Sequence, residues 1–145
     1  MFSKKSDYGI QAVLFLAANS DESHLLGSSD ISKQLGISEP MLSKVLQHLT
    51  KKKFVGSKKG RNGGFFMTEW QKNQTLIQII MELENSHELM GKCLMSLDRR
   101  CTDSNCPYHN HVSIIKEKLS TIYNTDTIKE TAIKLNFNNK ALINR

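Results

Sequence analysis

The chain has 145 residues and is poor in cysteine, with three, and holds a single tryptophan. No apolar run approaches the roughly 20 residues that a membrane-crossing helix needs, so no membrane partner is expected. The opening stretch MFSKKSDYGI lacks a signal-peptide layout, because the apolar residues behind it are helically patterned and offer no clear cleavage site. The expected location is therefore cytoplasmic. Catalytic signatures are missing too: there is no Gly-rich nucleotide loop, no GxSxG and no HExxH. No enzyme is expected. Acid is absent from one stretch, for between Lys44 and Arg61 seven basic residues stand with no Asp or Glu.

What is present is a concentrated positive charge. The net charge of +6 falls mostly in residues 1–75, with 11 Lys/Arg against 6 Asp/Glu, while residues 76–145 carry 9 against 8. A cationic patch beside a near-neutral remainder suits a polyanion, although charge alone also fits a solvated surface.

The pattern of the first half gives that charge a scaffold. Ile10, Val13, Leu14 and Ala17 make the stripe of a half-buried helix, with Ser6 or Asp7 near its start and NSDES ending it. Ser28 or Ser29 can cap a second, short helix through Leu35, and Gly36 suits a left-handed stop. Ser38 caps a third helix, and Pro40 is tolerated in its first turn because the amide it lacks would have had no helical partner. Leu42, Val45, Leu46 and Leu49 form its apolar stripe, leaving Ser43, Lys44, Gln47, His48 and Lys51 on the other side. A short helix, a Gly turn and a polar-faced helix is the helix-turn-helix layout. An ordinary helical hairpin would share that periodicity.

The next segment, FVGSKKGRNGGFFMT, separates the two. Phe54 and Val55 open a strand, Gly60 and Gly63–Gly64 permit a tight turn, and Phe65, Phe66 and Met67 return. Lys58, Lys59 and Arg61 are expected at its tip, where cations and backbone amides can meet phosphates or a minor groove. The order is that of a winged helix-turn-helix. The expected fold is mainly α, with a small β-hairpin wing and a long C-terminal dimerisation helix. The expected DNA-binding set is Ser38, Pro40, Met41, Ser43, Lys44, Gln47 and His48 on the helix, with Lys58, Lys59, Gly60, Arg61 and Asn62 on the wing.

Beyond the wing, Leu76, Ile77, Ile79, Ile80 and Leu83 form an apolar helix that closes the core. A long helix from about His109 carries Val112, Ile115, Leu119 and Ile122 in the spacing of a helix–helix seam. Packing back onto its own domain would use the same pattern. A two-fold homodimer would offer two recognition helices to a pseudo-palindromic duplex. Asp126 or Thr125 can cap a last helix with Ile128, Ala132 and Leu135 inward. The expected division is a DNA-binding domain over 1–85, a cysteine loop over 86–109, and a dimerisation helix and tail over 110–145.

All three cysteines lie in CLMSLDRRCTDSNCPYH: seven residues separate Cys93 from Cys101, four separate Cys101 from Cys106, and His109 follows two residues on. Cytoplasmic thiols stay reduced, so a clustered set argues for metal or redox chemistry over a structural disulfide. Three thiolates and an imidazole can hold zinc or an iron–sulfur cluster. The gaps are longer than those of compact zinc knuckles and suit a loop around something larger, with zinc and unligated redox thiols as the other readings.

SDYGIQAVLFLA, the block ISKQLGISEPMLSKVLQHLTKKKFVGSKKGRNGGF and the cysteine loop together resemble the Rrf-two family, bacterial winged-helix transcription regulators that include IscR-like iron–sulfur sensors and NsrR-like nitric-oxide sensors. The resemblance spans essentially the whole chain. It implies operator DNA as partner, a dimer on the long helix, and Cys93, Cys101 and Cys106 as ligands of a 2Fe–2S or 4Fe–4S cluster. It also implies Asp7, within SDYG, as a fourth ligand alternative to His109. Departures are visible: Lys59 stands where the family's wing carries arginine, Met41 where it often has an aromatic, and the first cysteine gap is longer than the family's more even spacing. Lysine keeps the charge and loses planar bidentate geometry.

Overall fold

The computed structural model describes residues 2–84 and 106–137. Among these it contains seven helices and one two-stranded sheet. The helices are α1 (Lys4–Asn19), α2 (Ser28–Leu35), α3 (Glu39–Lys51), α4 (Glu69–Lys72), α5 (Leu76–Glu84), α6 (His109–Thr125) and α7 (Ile128–Lys134), and the strands are β1 (Gly56–Lys58) and β2 (Gly64–Phe66). Cys93 and Cys101 lie outside the described residues, as does the tail beyond Phe137. No helix among the described residues is long and apolar enough to cross a membrane.

The core forms around α1. Ala12, Val13, Leu14 and Leu16 are all buried, so this helix is wrapped on more than one face. Helices α3, α5 and α7 pack against it. Gly9 lets α5 approach closely, because a Cβ there would run into the Leu83 side chain. The helix starts one turn earlier than its apolar stripe: Ser3 is the N-cap and accepts from the Ser6 amide at 3.3 Å, while Asp7 sits in the first turn. Helix α2 is capped by Gly27 rather than Ser28 or Ser29, and Gly36 ends it at φ 64°, in the left-handed region.

Helix α3 buries Leu42, Val45, Leu46 and Leu49, the stripe expected from their spacing. After it, Lys53 takes φ 66°, an uncommon conformation for a non-glycine residue. Gln71 of α4 supports that turn by donating Nε2 to the Lys53 carbonyl at 2.9 Å. The same α4 buries Lys72, 7% exposed, whose ammonium donates to the Ser20 carbonyl at 2.7 Å, just past the end of α1. A cation at a helix C-terminus meets the negative end of the backbone dipole.

The wing has more support than a two-stranded hairpin. Gly56 pairs with Phe66, Ser57 with Phe65 and Lys58 with Gly64, in antiparallel register. On the far side of β2, Leu26 and Phe65 exchange both main-chain hydrogen bonds, at 2.8 and 2.9 Å. Gly64 is needed for this approach: it lies at φ 159°, and a Cβ there would stand 2.7 Å from the Leu26 carbonyl oxygen.

Helix α6 differs from the others. Of its seam only Val112 is buried; Leu119 is half-buried, and Ile115 and Ile122 are 50% and 63% exposed. Its C-terminal end is nevertheless tied down. Tyr123 meets the Phe2 ring edge-on at 5.6 Å, and Asn124 accepts from Thr75 at 3.0 Å. Thr127, not Asp126 or Thr125, caps α7 in a reciprocal box with Glu130. Ile128 and Ala132 point inward as expected, whereas Leu135 is exposed.

Candidate nucleic-acid interface and cysteine segment

The outer face of α3 is built by subtraction. With four apolar residues committed inward, Ser38, Pro40, Met41, Lys44 and Gln47 are exposed, and Ser43 is half-buried at the edge. Met41, 47% exposed, is a large apolar side chain on an otherwise polar surface. His48 lies at the opposite edge and is half-buried. Its Nε2 is 3.0 Å from Oε1 of Glu82 on α5, an oxygen that also pairs with Lys52 Nζ at 3.2 Å. Burial raises the Glu82 pKa, but hydrogen bonds from Lys52 and His48 outweigh it and hold the carboxyl below its usual value.

At the hairpin, Lys59, Gly60, Arg61 and Asn62 form the exposed turn. Gly60 adopts φ 105°, which an L-residue rarely does, and accepts from the Gly63 amide at 3.0 Å. Lys58 sits on β1 rather than at the tip. Its ammonium donates to the Glu22 carbonyl at 3.2 Å and lies 5.7 Å from the centre of the Phe66 ring, a cation–π contact. Lys58 thus also fastens the wing to the turn after α1. Of the cations expected at the tip, Lys59 and Arg61 stand there, both exposed.

The support around this surface was not foreseen. Helix α4, the Leu26 bridge and the Lys72 and Gln71 contacts all lie behind the wing. One signal was available: Thr68-x-x-Gln71 is a capping-box spacing, and both of its reciprocal bonds form. Nothing local to Leu26 marks it as the partner of Phe65, 39 positions on.

The cysteine segment is described only at its end. Cys106 is half-buried and unpaired by any disulfide among the described residues. Its carbonyl accepts from the His109 amide at 3.1 Å, which places the two residues on one turn at the head of α6. Asp7 is half-buried in the first turn of α1. Among the described residues no three His, Cys, Asp or Glu side chains converge. The donor chemistry of the whole segment, three thiols with an imidazole close in sequence, fits a thiophilic metal centre.

A polar-faced second helix followed at once by a basic, core-braced hairpin defines a winged-helix DNA-binding protein. The comparisons specify which kind. The family described as "Rrf2: Iron-dependent Transcriptional regulator" matches residues 2–131, and the chain belongs to that family. A putative HTH-type transcriptional regulator of Aquifex aeolicus is 29% identical over 133 residues, covering 90% of each chain. The HTH-type transcriptional regulator NsrR of Oceanobacillus iheyensis is 31% identical over 87 residues, 60% of this chain and 58% of that one. Two solved structures share the fold: CymR, the global cysteine regulator of B. subtilis, with TM-score 0.72, 17% identity and coverage of 92% of this chain and 97% of that one, and T. potens IscR, with TM-score 0.72, 22% identity and coverage of 92% and 87%. The protein is a transcription regulator of the Rrf2 type, not an enzyme.

Proposed function

We propose that this regulator grips operator DNA as a homodimer and that a cysteine-held iron–sulfur centre sets the strength of the grip. The observation that carries the DNA reading is the continuity of exposed polar and cationic groups from Lys44 and Gln47 on α3 to Lys59, Arg61 and Asn62 on the wing, across a stretch with no acid. Ser38, Pro40, Met41, Ser43, Lys44 and Gln47 face the major groove, and His48 borders it. Gln47 is suited to adenine and Lys44 to guanine or phosphate. Lys58, Lys59, Gly60, Arg61 and Asn62 follow the wing along the backbone.

The exposed Ile115 and Ile122 of α6 support the dimer. An apolar seam left uncovered in one copy is covered by the same seam in a second, and two-fold symmetry then presents two α3 helices to two half-sites. On this reading residues 1–85 bind DNA, 86–109 carry the centre and 110–145 join the copies.

Cys93, Cys101 and Cys106 would hold the cluster, with His109 or Asp7 as the fourth ligand; when bound, it supplies sensitivity to iron, oxidant or nitric oxide. NsrR and IscR are among the chains this one resembles. Anaerobic purification followed by iron and sulfide assay and visible absorption tests the cofactor. A brown protein with matching iron and sulfide is expected. A colourless protein with bound zinc, or with no metal, overturns the cluster reading and leaves a zinc-bearing or partner-controlled regulator. Operator titration with and without the cofactor tests the coupling, and equal affinities remove the sensing role.

A further inference from the structure

Two basic side chains at the C-terminal end of the recognition helix are already paired within the chain. His48 and Lys52 lie one turn apart at its C-terminal end, and both converge on a single carboxylate oxygen of Glu82. Glu82 comes from α5, a helix otherwise committed to the core through Leu76, Ile77, Ile79, Ile80 and Leu83. Leu83, the next residue, packs against Gly9 of α1, and Glu84 accepts from the Ser3 amide at 2.7 Å. The last turn of α5 is thereby held on both sides, and Glu82 is aimed at α3 from a fixed base. The Glu82 side chain is 24% exposed and that of Lys52 50%, so solvent screens the carboxylate less than the ammonium.

A carboxylate in this position does to Lys52 what a phosphate would do. We propose that Glu82 is a specificity-determining residue: it occupies Lys52, and the His48 ring beside it, so that these two side chains are withheld from sequence-independent phosphate contacts. The inference rests on the reading of α3 as the groove-facing helix. Its physical basis is that backbone contacts raise affinity for every sequence alike, whereas discrimination comes from base edges. Restraining a cation at the end of the helix that carries Gln47 and Lys44 lowers binding to the wrong duplex without removing a base contact.

Each phosphate neutralised steepens the fall of log K with log salt by about 0.9 on duplex DNA. The test therefore measures salt slopes for operator and random duplex with wild type, Glu82→Gln, Lys52→Met and the double variant, using the full-length homodimer. Glu82→Gln frees one Lys52 in each protomer, so it is expected to steepen the dimer's slope by about 1.8 and to lower the operator-to-random affinity ratio severalfold. Lys52→Met alone leaves the wild-type slope unchanged, since Lys52 is already engaged, and in the Glu82→Gln background it abolishes the added slope. A Lys52→Met slope shallower by about 1.8 for the dimer shows Lys52 on phosphate in the wild type and overturns the proposal. So does a folded Glu82→Gln protein with an unchanged slope, whatever its affinity, because a purely structural carboxylate would alter affinity alone. Lys44→Ala separates the two levels. If it leaves operator binding intact, the groove assignment of α3 fails; if it weakens binding while the Glu82 slopes stay flat, only this inference fails.

Discussion

Helices α3 and α6 are both amphipathic, and they dispose of their apolar faces in opposite ways. In α3 all four stripe residues are buried within the chain, so what remains outside is polar and available. In α6 one stripe residue is buried and two are left largely in solvent. An isolated surface isoleucine needs no explanation, but a row at helical spacing does. The lesson is that the same sequence pattern builds a surface when the fold covers it and asks for a partner when the fold does not.

Truncation breaks this contrast most sharply. Leu46→Ala, at a fully buried site of α3, is expected to cost about 2–5 kcal/mol in chemical denaturation. Ile122→Ala on α6 should change the denaturation midpoint of dilute protein far less. If the two cost the same, the apolar faces are not differently used. Next comes the seam: Ile115→Glu with Ile122→Glu should convert the proposed dimer to monomer in sedimentation, and palindromic-operator affinity should fall about a hundredfold, the loss of linked binding. A monomeric wild type would end the comparison from the other side.

The exposed face of α3 is tested by Gln47→Ala, expected to cost about 1–3 kcal/mol on the preferred base in a randomised-site selection and to relax that position. Lys59→Ala on the wing should instead weaken all sequences together and flatten the salt slope of a dimer, with its two wings, by about 1.8. The smallest effect concerns acid. The Glu82 carboxyl is held below its ordinary value by Lys52 and His48 against the opposing effect of burial. A carboxyl depressed in the folded state stabilises it above the unfolded value near 4.5 and loses that contribution as pH falls through the depressed value. Between pH 6 and pH 3, Glu82→Gln should therefore lose less stability than wild type in thermal melts.

Much of this architecture could be read directly from residue spacing. The α3 stripe, the Gly36 stop, the hairpin and the apolar α5 follow from local periodicity and from glycine, which act within a few residues. The caps are harder, because several polar side chains compete within one turn: Ser3 caps α1 although Ser6 and Asp7 are nearer its apolar stripe, and Thr127 caps α7 in place of its neighbours Asp126 and Thr125. What sequence could not convey are contacts between distant positions. Lys72 looks like a surface lysine until the Ser20 carbonyl is beside it, and Lys58 looks like a tip cation until β1 turns it toward Phe66 and Glu22. The candidate interface was legible in its exposed members, Lys44, Gln47, Lys59 and Arg61, and illegible at His48, whose neighbour lies 34 positions away.

The Leu26–Phe65 pairing has a mechanical consequence. A hairpin whose β2 pairs with β1 on one side and with Leu26 on the other, its root turn at Lys53 propped by Gln71, is held to the body more firmly than a hairpin joined only at its base. A duplex that meets such a hairpin has to conform to it. Operators would then be ranked in part by how readily their own steps bend and narrow, including at base pairs that no side chain reaches.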